Sequence, residues 1–192
     1  HIAGVASADK LEFYLDGVLR ATGPGISTGI VNNSASVINI GKDVRSGFKF
    51  CKAAFDEVRI WNRALKLSEL SYFKDCERTG NPEGLVGYYR FNHGLELSNN
   101  STDIILSDSS TYNKPGTLYN FALDSTVSNW VNPGAVVSGN ACVPCSNTGT
   151  TLTVTSCNSY TSPDSMEIWT STGTYSDTLE NALGCDSIIT VI

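Results

Sequence analysis

Two adjacent carboxylates, Asp56 and Glu57, stand just ahead of Arg59 and Trp61. A carboxylate pair beside an aromatic ring is the equipment of glycoside hydrolysis, where one carboxyl protonates the leaving oxygen and the other acts as nucleophile or base. Val58 and Ile60 alternate with charged residues, and this period of two predicts a β-strand from Ala54 to Trp61. Neighbours on a strand face opposite sides, so Asp56 and Glu57 cannot flank one glycosidic bond. His1 lies in strand-like sequence and His93 in a turn beside Gly94. Without a Gly-x-Ser-x-Gly sequence, a Ser-His-Asp triad lacks its parts. No residue is assigned as catalytic, and the chain itself is expected not to be an enzyme.

Cysteine is the next chemistry-bearing residue. Six cysteines in a Ser/Thr-rich chain point to an oxidising compartment, and six allow fifteen pairings. Three bridges are expected. Cys51 with Cys76 would pin a helix to the strand before it. Cys142 with Cys145 would be a local bridge. Cys157 with Cys185 would close a loop of about 28 residues, worth roughly 3–4 kcal/mol in the chain-entropy model. Zinc needs four ligands, and no second Cys-x-x-Cys or His pair stands near Cys142 and Cys145. A thioredoxin-like role would need a βαβ pattern, which is absent around that motif.

The elements that position these groups read as strands. Leu11, Phe13 and Leu15 alternate with Glu12 and Tyr14, and Asp16-Gly17 is a hairpin turn leading into Val18-Leu19-Arg20. Ser36 to Gly41 reads as a strand, as does Gly84 to Asn92. Leu67, Leu70 and Phe73 switch to a spacing of three, predicting a short helix over Ser68 to Asp75 with Ser68 as its N-cap. After residue 150 the sequence turns Thr/Ser-rich, with short strands at Leu152 to Thr155, Met166 to Ser171, Thr174 to Leu179 and Ser187 to Ile192.

Composition narrows the partners. The 192 residues carry a net charge of −6, with thirteen Lys and Arg and no basic run, which excludes a phosphate-neutralising surface and so nucleic acid. Nothing approaches eighteen consecutive apolar residues, so no membrane insertion by a helix is expected. The chain opens on His1 and has its one methionine at Met166, and His1-Ile2-Ala3-Gly4-Val5 reads as the interior of a strand, so the chain reads as a fragment, with further domains of the same chain on both sides.

The run Phe55-Asp56-Glu57-Val58-Arg59-Ile60-Trp61-Asn62-Arg63-Ala64-Leu65 resembles the closing strand of the laminin-G-like, concanavalin-A-like β-sandwich of secreted bacterial proteins. Lys10 to Gly17 matches that family's Leu-x-x-Tyr-x-Asp-Gly hairpin. Gly84 to Asn92, Asp108-Ser109-Ser110 and Gly116-Thr117-Leu118 resemble its opening strand, loop and following strand. Cys157 to Pro163, Trp169 to Thr178 and Gly184 to Ile189 resemble a small β-repeat of Bacteroidetes-type surface proteins. These resemblances imply an all-β chain: an N-terminally truncated jelly-roll sandwich over residues 1–140 with one short helix, a linker at 141–150, and a disulfide-stapled β-repeat at 151–192. Glucanases of the same superfamily use Glu-x-Asp-x-Glu on one strand; that pattern is absent here.

The resemblance also implies calcium, a hard cation that takes oxygen ligands. The candidates are Asp56, Asp108 and Asn113, although both loop glycines of the family are replaced here and Lys114 adds an opposing charge. The competing role for Asp and Asn in such loops is to cap turns. Trp61, Tyr88, Tyr89, Tyr112 and Trp130 are candidates for stacking on a sugar, against the more usual place of large rings in a core. Asn32, Asn99 and Asn100 head sequons expected on surface loops. The function implied is a non-catalytic carbohydrate-binding or adhesive module of a secreted, cell-surface-attached protein, with a glycan or an extracellular protein as ligand. A structural spacer and an accessory domain of a secreted hydrolase are the alternatives.

Overall fold

A computed structural model describes residues 1–26, 37–43, 49–143, 147–180 and 186–192. The fold class is all-β, with one short helix among the described residues. Two compact units divide the chain: His1–Leu65 with Phe73–Cys142, and Lys66–Tyr72 with Val143–Ile192.

In the first unit β1 (Ile2–Ala6), β2 (Lys10–Leu15) and β3 (Val18–Pro24) form an antiparallel sheet in the order β1-β2-β3. The turn between β2 and β3 falls at Asp16-Gly17, as the sequence requires: both residues have positive φ, 52° and 76°, the conformation of a two-residue hairpin turn. A bulge between Phe13 and Tyr14 shifts the β2–β3 register. The pairs β4 (Lys42–Asp43) with β5 (Lys49–Phe50), β6 (Val58–Trp61) with β7 (Leu85–Tyr89), and β8 (Ile105–Leu106) with β9 (Gly116–Thr117) are its other strands among the described residues. Tyr88 and Leu85 of β7 are fully buried, joined in the core by Leu106, Leu123 and Val136. Asn100 is buried too: its side-chain N donates to Leu95 O at 2.7 Å, Ser98 O at 3.2 Å and Asn129 Oδ1 at 2.8 Å.

Several expectations change. The strand expected over Ser36 to Gly41 is not formed at residues 37–41; pairing begins at Lys42. β6 begins only at Val58, because Glu57 has φ 52° and leaves the extended region. Asn100 is not a surface sequon, because its amide is spent on buried backbone carbonyls. Asn32, Cys145 and Cys185 lie outside the described residues.

The helix α1 spans Leu67–Phe73. Ser68 is inside it and not its N-cap. Leu70 N bonds to Lys66 O, which makes Lys66 the cap residue, and Glu69 reaches back to Lys66 N at 2.9 Å, half of a capping box. Ser68 Oγ instead donates to Glu180 Oε1 at 2.7 Å.

In the second unit β10 (Thr148–Leu152), β14 (Asp186–Val191) and β13 (Tyr175–Glu180) form one sheet, with β10 parallel and β13 antiparallel to β14. A second ladder pairs β11 (Tyr160–Thr161) with β12 (Ile168–Trp169).

The disulfide is the largest correction. Cys76 pairs with Cys142, not with Cys51, and Cys142 therefore does not pair with Cys145. Backbone pairing sets this up: Glu77 N bonds to Asn140 O at 2.8 Å and Cys142 N to Glu77 O at 2.7 Å, which brings the two Cα atoms to 4.9 Å. Among the described residues Cys51 and Cys157 are exposed and have no disulfide partner, and the expected Cys157–Cys185 bridge involves a cysteine outside them.

Candidate functional site

The conspicuous motif Asp56-Glu57-Val58-Arg59 leads into a buried polar cluster. Arg59 Nη1 donates to Phe73 O at 2.6 Å and Nη2 to Cys76 O at 2.5 Å, carbonyls at and after the end of α1 that have no partner inside the helix. The same guanidinium is paired with Glu57 Oε2. Tyr88 OH donates to Glu57 Oε2 at 2.5 Å and accepts from Arg78 N at 3.0 Å. Arg59 and Arg90 guanidinium groups lie 5.2 and 5.1 Å from the centre of the Tyr88 ring. Arg90 in turn donates to Arg78 O at 2.8 Å.

The electrostatics follow from burial. Burial pushes the Glu57 carboxyl above its usual value, outweighing the Tyr88 hydroxyl and the Arg59 charge, which pull it down. Burial likewise raises the Tyr88 phenol, and the bond to Glu57 adds to this. Glu57 Oε1 and Arg59 Nε are buried with no hydrogen-bond partner among the described residues. Asp56 turns elsewhere: its Oδ2 accepts from Val136 N at 2.9 Å, and a side chain at Gly134 would collide with that oxygen. The two carboxylates are thus separated, by the left-handed φ of Glu57 and not by strand alternation. Asp56 is spent on a backbone N–H, and Glu57 on the Tyr88 hydroxyl and the Arg59 guanidinium.

Asp108 organises a second feature, the loop from Asp108 to Lys114. Its Oδ1 accepts from Tyr88 N and Ser110 N, both at 2.8 Å. Its Oδ2 accepts from Ser110 Oγ at 2.8 Å and Lys114 N at 2.9 Å. Burial would raise this carboxyl, but the hydrogen bonds from Lys114, Ser110 and Tyr88 outweigh it and hold Asp108 below its usual value. Asn113 sits in the left-handed region at φ 48°, and Thr111 N is held by Asn81 Oδ1 at 3.1 Å. A carboxylate has about four lone-pair positions. At Asp108 all four are met by N–H and O–H donors, and one of these donors is the backbone of Lys114. This arrangement fits a turn-capping carboxylate and does not fit a calcium ligand. Asp56, the third expected ligand, serves Val136. Among the described residues no cluster of three His, Cys, Asp or Glu is placed to hold a metal ion.

Of the five rings considered for sugar contact, one is presented to solvent. Tyr112 is 53% exposed, at the tip of the Asp108 loop. Tyr88 is buried, and Tyr89 OH donates to Lys114 O at 2.8 Å beneath the same loop. Trp61 lies under the Arg63 guanidinium, 5.3 Å from its ring centre. Trp130 packs edge-on to His93, with ring centres 4.4 Å apart, and its indole fills the space that a Cβ at Gly94 would need. His93 Nε2 lies 3.5 Å from Asp103 Oδ1. His1 contributes its α-amine, 2.6 Å from Asp16 Oδ1.

The second unit holds a group that the sequence did not single out. Trp169 and Tyr175 stack with centres 4.5 Å apart and planes 7° from parallel, and Tyr160 stands 6.0 Å from Trp169. The legible signal is the placement of Tyr160 and Trp169 symmetrically about the turn Ser162–Glu167, which makes them cross-strand partners. The three rings are half-buried and stack on one another.

Residues 1–71 match the model of the concanavalin A-like lectin/glucanases superfamily. This covers β1 to β6 and the first five residues of α1, short of half of the 192 residues. No curated protein and no solved structure matches the chain.

Proposed function

We propose that the chain is part of a non-catalytic carbohydrate-binding or adhesive module of a secreted, surface-attached protein, and that Tyr112 on the Asp108 loop is a ligand contact. The observation that carries this reading is the loop itself. Asp108 fastens it through four hydrogen bonds, two from the loop backbone at Ser110 and Lys114, one from the Ser110 hydroxyl and one from Tyr88 N on β7, while the ring at its tip faces solvent. A fixed loop loses little entropy on binding, and a tyrosine offers an apolar face for a sugar ring or a peptide together with a hydroxyl. The superfamily match supports the ligand class. Asp56 and Glu57, the residues best suited to hydrolysis, are both committed to backbone or to buried partners, which supports the non-catalytic part.

The test is a glycan array followed by calorimetric titration of the full protein and of Tyr112→Ala. The variant should weaken binding at least tenfold with unchanged thermal unfolding. Binding that is indifferent to this substitution would remove Tyr112 from the reading; cleavage of any bound glycan would remove the non-catalytic part.

A further inference from the structure

The sheet of the second unit, β10-β14-β13, has one closed edge and one open edge. Ile192 N donates to Leu152 O and Val154 N to Ile192 O, both at 2.9 Å, so the even-numbered residues of β14 bond toward β10 and the odd-numbered ones toward β13. Val191, Ile189 and Ser187 pair with Tyr175, Asp177 and Leu179, which leaves the backbone of Ser176, Thr178 and Glu180 facing outward. On that edge Thr178 N already donates to Asp177 Oδ1 at 2.7 Å. The Glu180 carboxylate is engaged by Ser68 Oγ at 2.7 Å and Lys66 Nζ at 3.5 Å. Charge and a capped N–H close it to further strands. On β10 the same alternation turns the N–H and C=O groups of Gly149, Thr151 and Thr153 away from β14, and none of these groups has a hydrogen-bond partner among the described residues. All of Thr148–Leu152 is exposed. Residues 147–163 hold no charged side chain, and β10 has neither proline nor bulge, so no device that ordinarily protects an edge is present.

We propose that this edge is a self-association surface, on which β10 pairs antiparallel with β10 of a second copy about a two-fold axis at Thr151. The free backbone groups choose that occupant, because they recur at Gly149, Thr151 and Thr153, symmetrically about Thr151. A two-fold axis there sets Thr151 opposite its own copy and Gly149 opposite Thr153 of the second copy, each a hydrogen-bonded antiparallel pair. Leu152 is 41% exposed, on the side of the sheet where its neighbour Val191 is buried, and it would come to lie opposite Thr150 of the second copy. Charge agrees: two chains of net charge −6 would meet through a stretch that carries none. The closed β13 edge fixes the stoichiometry. With one free edge per copy, pairing stops at two chains, whereas two free edges would propagate a fibre. A foreign peptide could bond to the same groups, but glycine and threonine offer its side chains little to recognise, while a second copy brings a fixed register. An edge contact is small against a standard interface, so the dimer is weak and forms only at high concentration.

The experiment compares the full-length protein at micromolar and millimolar concentration, by light scattering for mass and by residue-resolved hydrogen exchange. The concentrated sample should show a dimer, and the amides of Gly149, Thr151 and Thr153 should exchange at least tenfold more slowly in it than in the dilute one. Thr151→Pro removes one outward N–H and no bond to β14, so it should abolish both effects and leave thermal unfolding unchanged. Thr151→Lys keeps the N–H and puts like charges on the axis; it should do the same, and it decides the matter if the proline disturbs β10 itself. Amides protected equally at both concentrations would overturn the proposal in favour of another segment of the same chain on this edge. Amides that exchange freely at both concentrations, or a dimer that Thr151→Lys retains, would overturn it outright.

Discussion

Arg59 holds together more than any other side chain in the motif that first suggests a catalytic site. It satisfies two backbone carbonyls and pairs with Glu57, and the Glu57 and Arg59 side chains are 7% and 9% exposed. Arg59→Leu removes all three interactions and strands a buried carboxyl. Breaking such a buried pair costs about 3–5 kcal/mol. Urea unfolding should show a loss of that size, and Arg59→Lys should recover little, because an ammonium cannot span two carbonyls and a carboxylate with the fixed fork of a guanidinium. A loss below about 1 kcal/mol would mean that the cluster is peripheral to stability.

Glu57 also sets a pH dependence. Its carboxyl is raised in the folded state, so the fold binds that proton more tightly than the unfolded chain does. The associated stability is present below the ordinary value of 4.5 and is lost as pH rises through the folded value. Asp108 acts in the opposite sense. Its carboxyl is lowered, so its contribution is present above 3.8 and is lost as pH falls through the folded value. Unfolding free energy measured from pH 3 upward should therefore carry a falling component above 4.5 that Glu57→Gln abolishes. An identical pH profile in the variant would contradict the assignment.

At the scale of elements, the Cys76–Cys142 bridge joins the segment after α1 to the end of the first unit. The two cysteines are 66 apart in sequence. A loop of this length is worth about 4 kcal/mol in the chain-entropy model. Reduction, or the paired substitution Cys76→Ser with Cys142→Ser, should lower stability by about that amount, and peptide mapping without reductant should recover the 76–142 pair. A mapped Cys142–Cys145 bridge would refute this arrangement. Local sequence points to Cys51 and Cys145 as partners because they are near. The pairing is decided instead by the parallel bridge between Glu77 and Ala141, a contact with no signature in either segment alone. The aromatic stack of the second unit is partly legible, through the symmetric placement of Tyr160 and Trp169 about a turn. The addition of Tyr175 from β13 is a tertiary event.

For the molecule as a whole, the hydrogen-bond complement of Asp108 carries a prediction about calcium. Millimolar Ca²⁺, or EDTA, should leave the melting temperature within about one degree, because a cation would have to displace four donors already in place. A rise of several degrees that Asp108→Asn removes would show that the loop rearranges around a metal.

The amino-acid sequence by itself determined the all-β class, the Asp16-Gly17 hairpin, the strand character of the Val58 and Leu85 segments that become β6 and β7, and a helix near Leu67. These rest on local terms: period-two alternation, the φ preference of glycine, and apolar spacing along a few residues. Tertiary structure alone decided what Asp56, Glu57 and Asp108 do, because each carboxylate meets backbone or side chains up to 80 residues distant. It also decided which face of β2 is open to water: Leu11, Phe13 and Leu15 are exposed and Tyr14 is buried. Alternation separates Leu11, Phe13 and Leu15 from Glu12 and Tyr14, but the side that becomes core is set by whatever packs against the sheet, and that information lies in other segments of the chain.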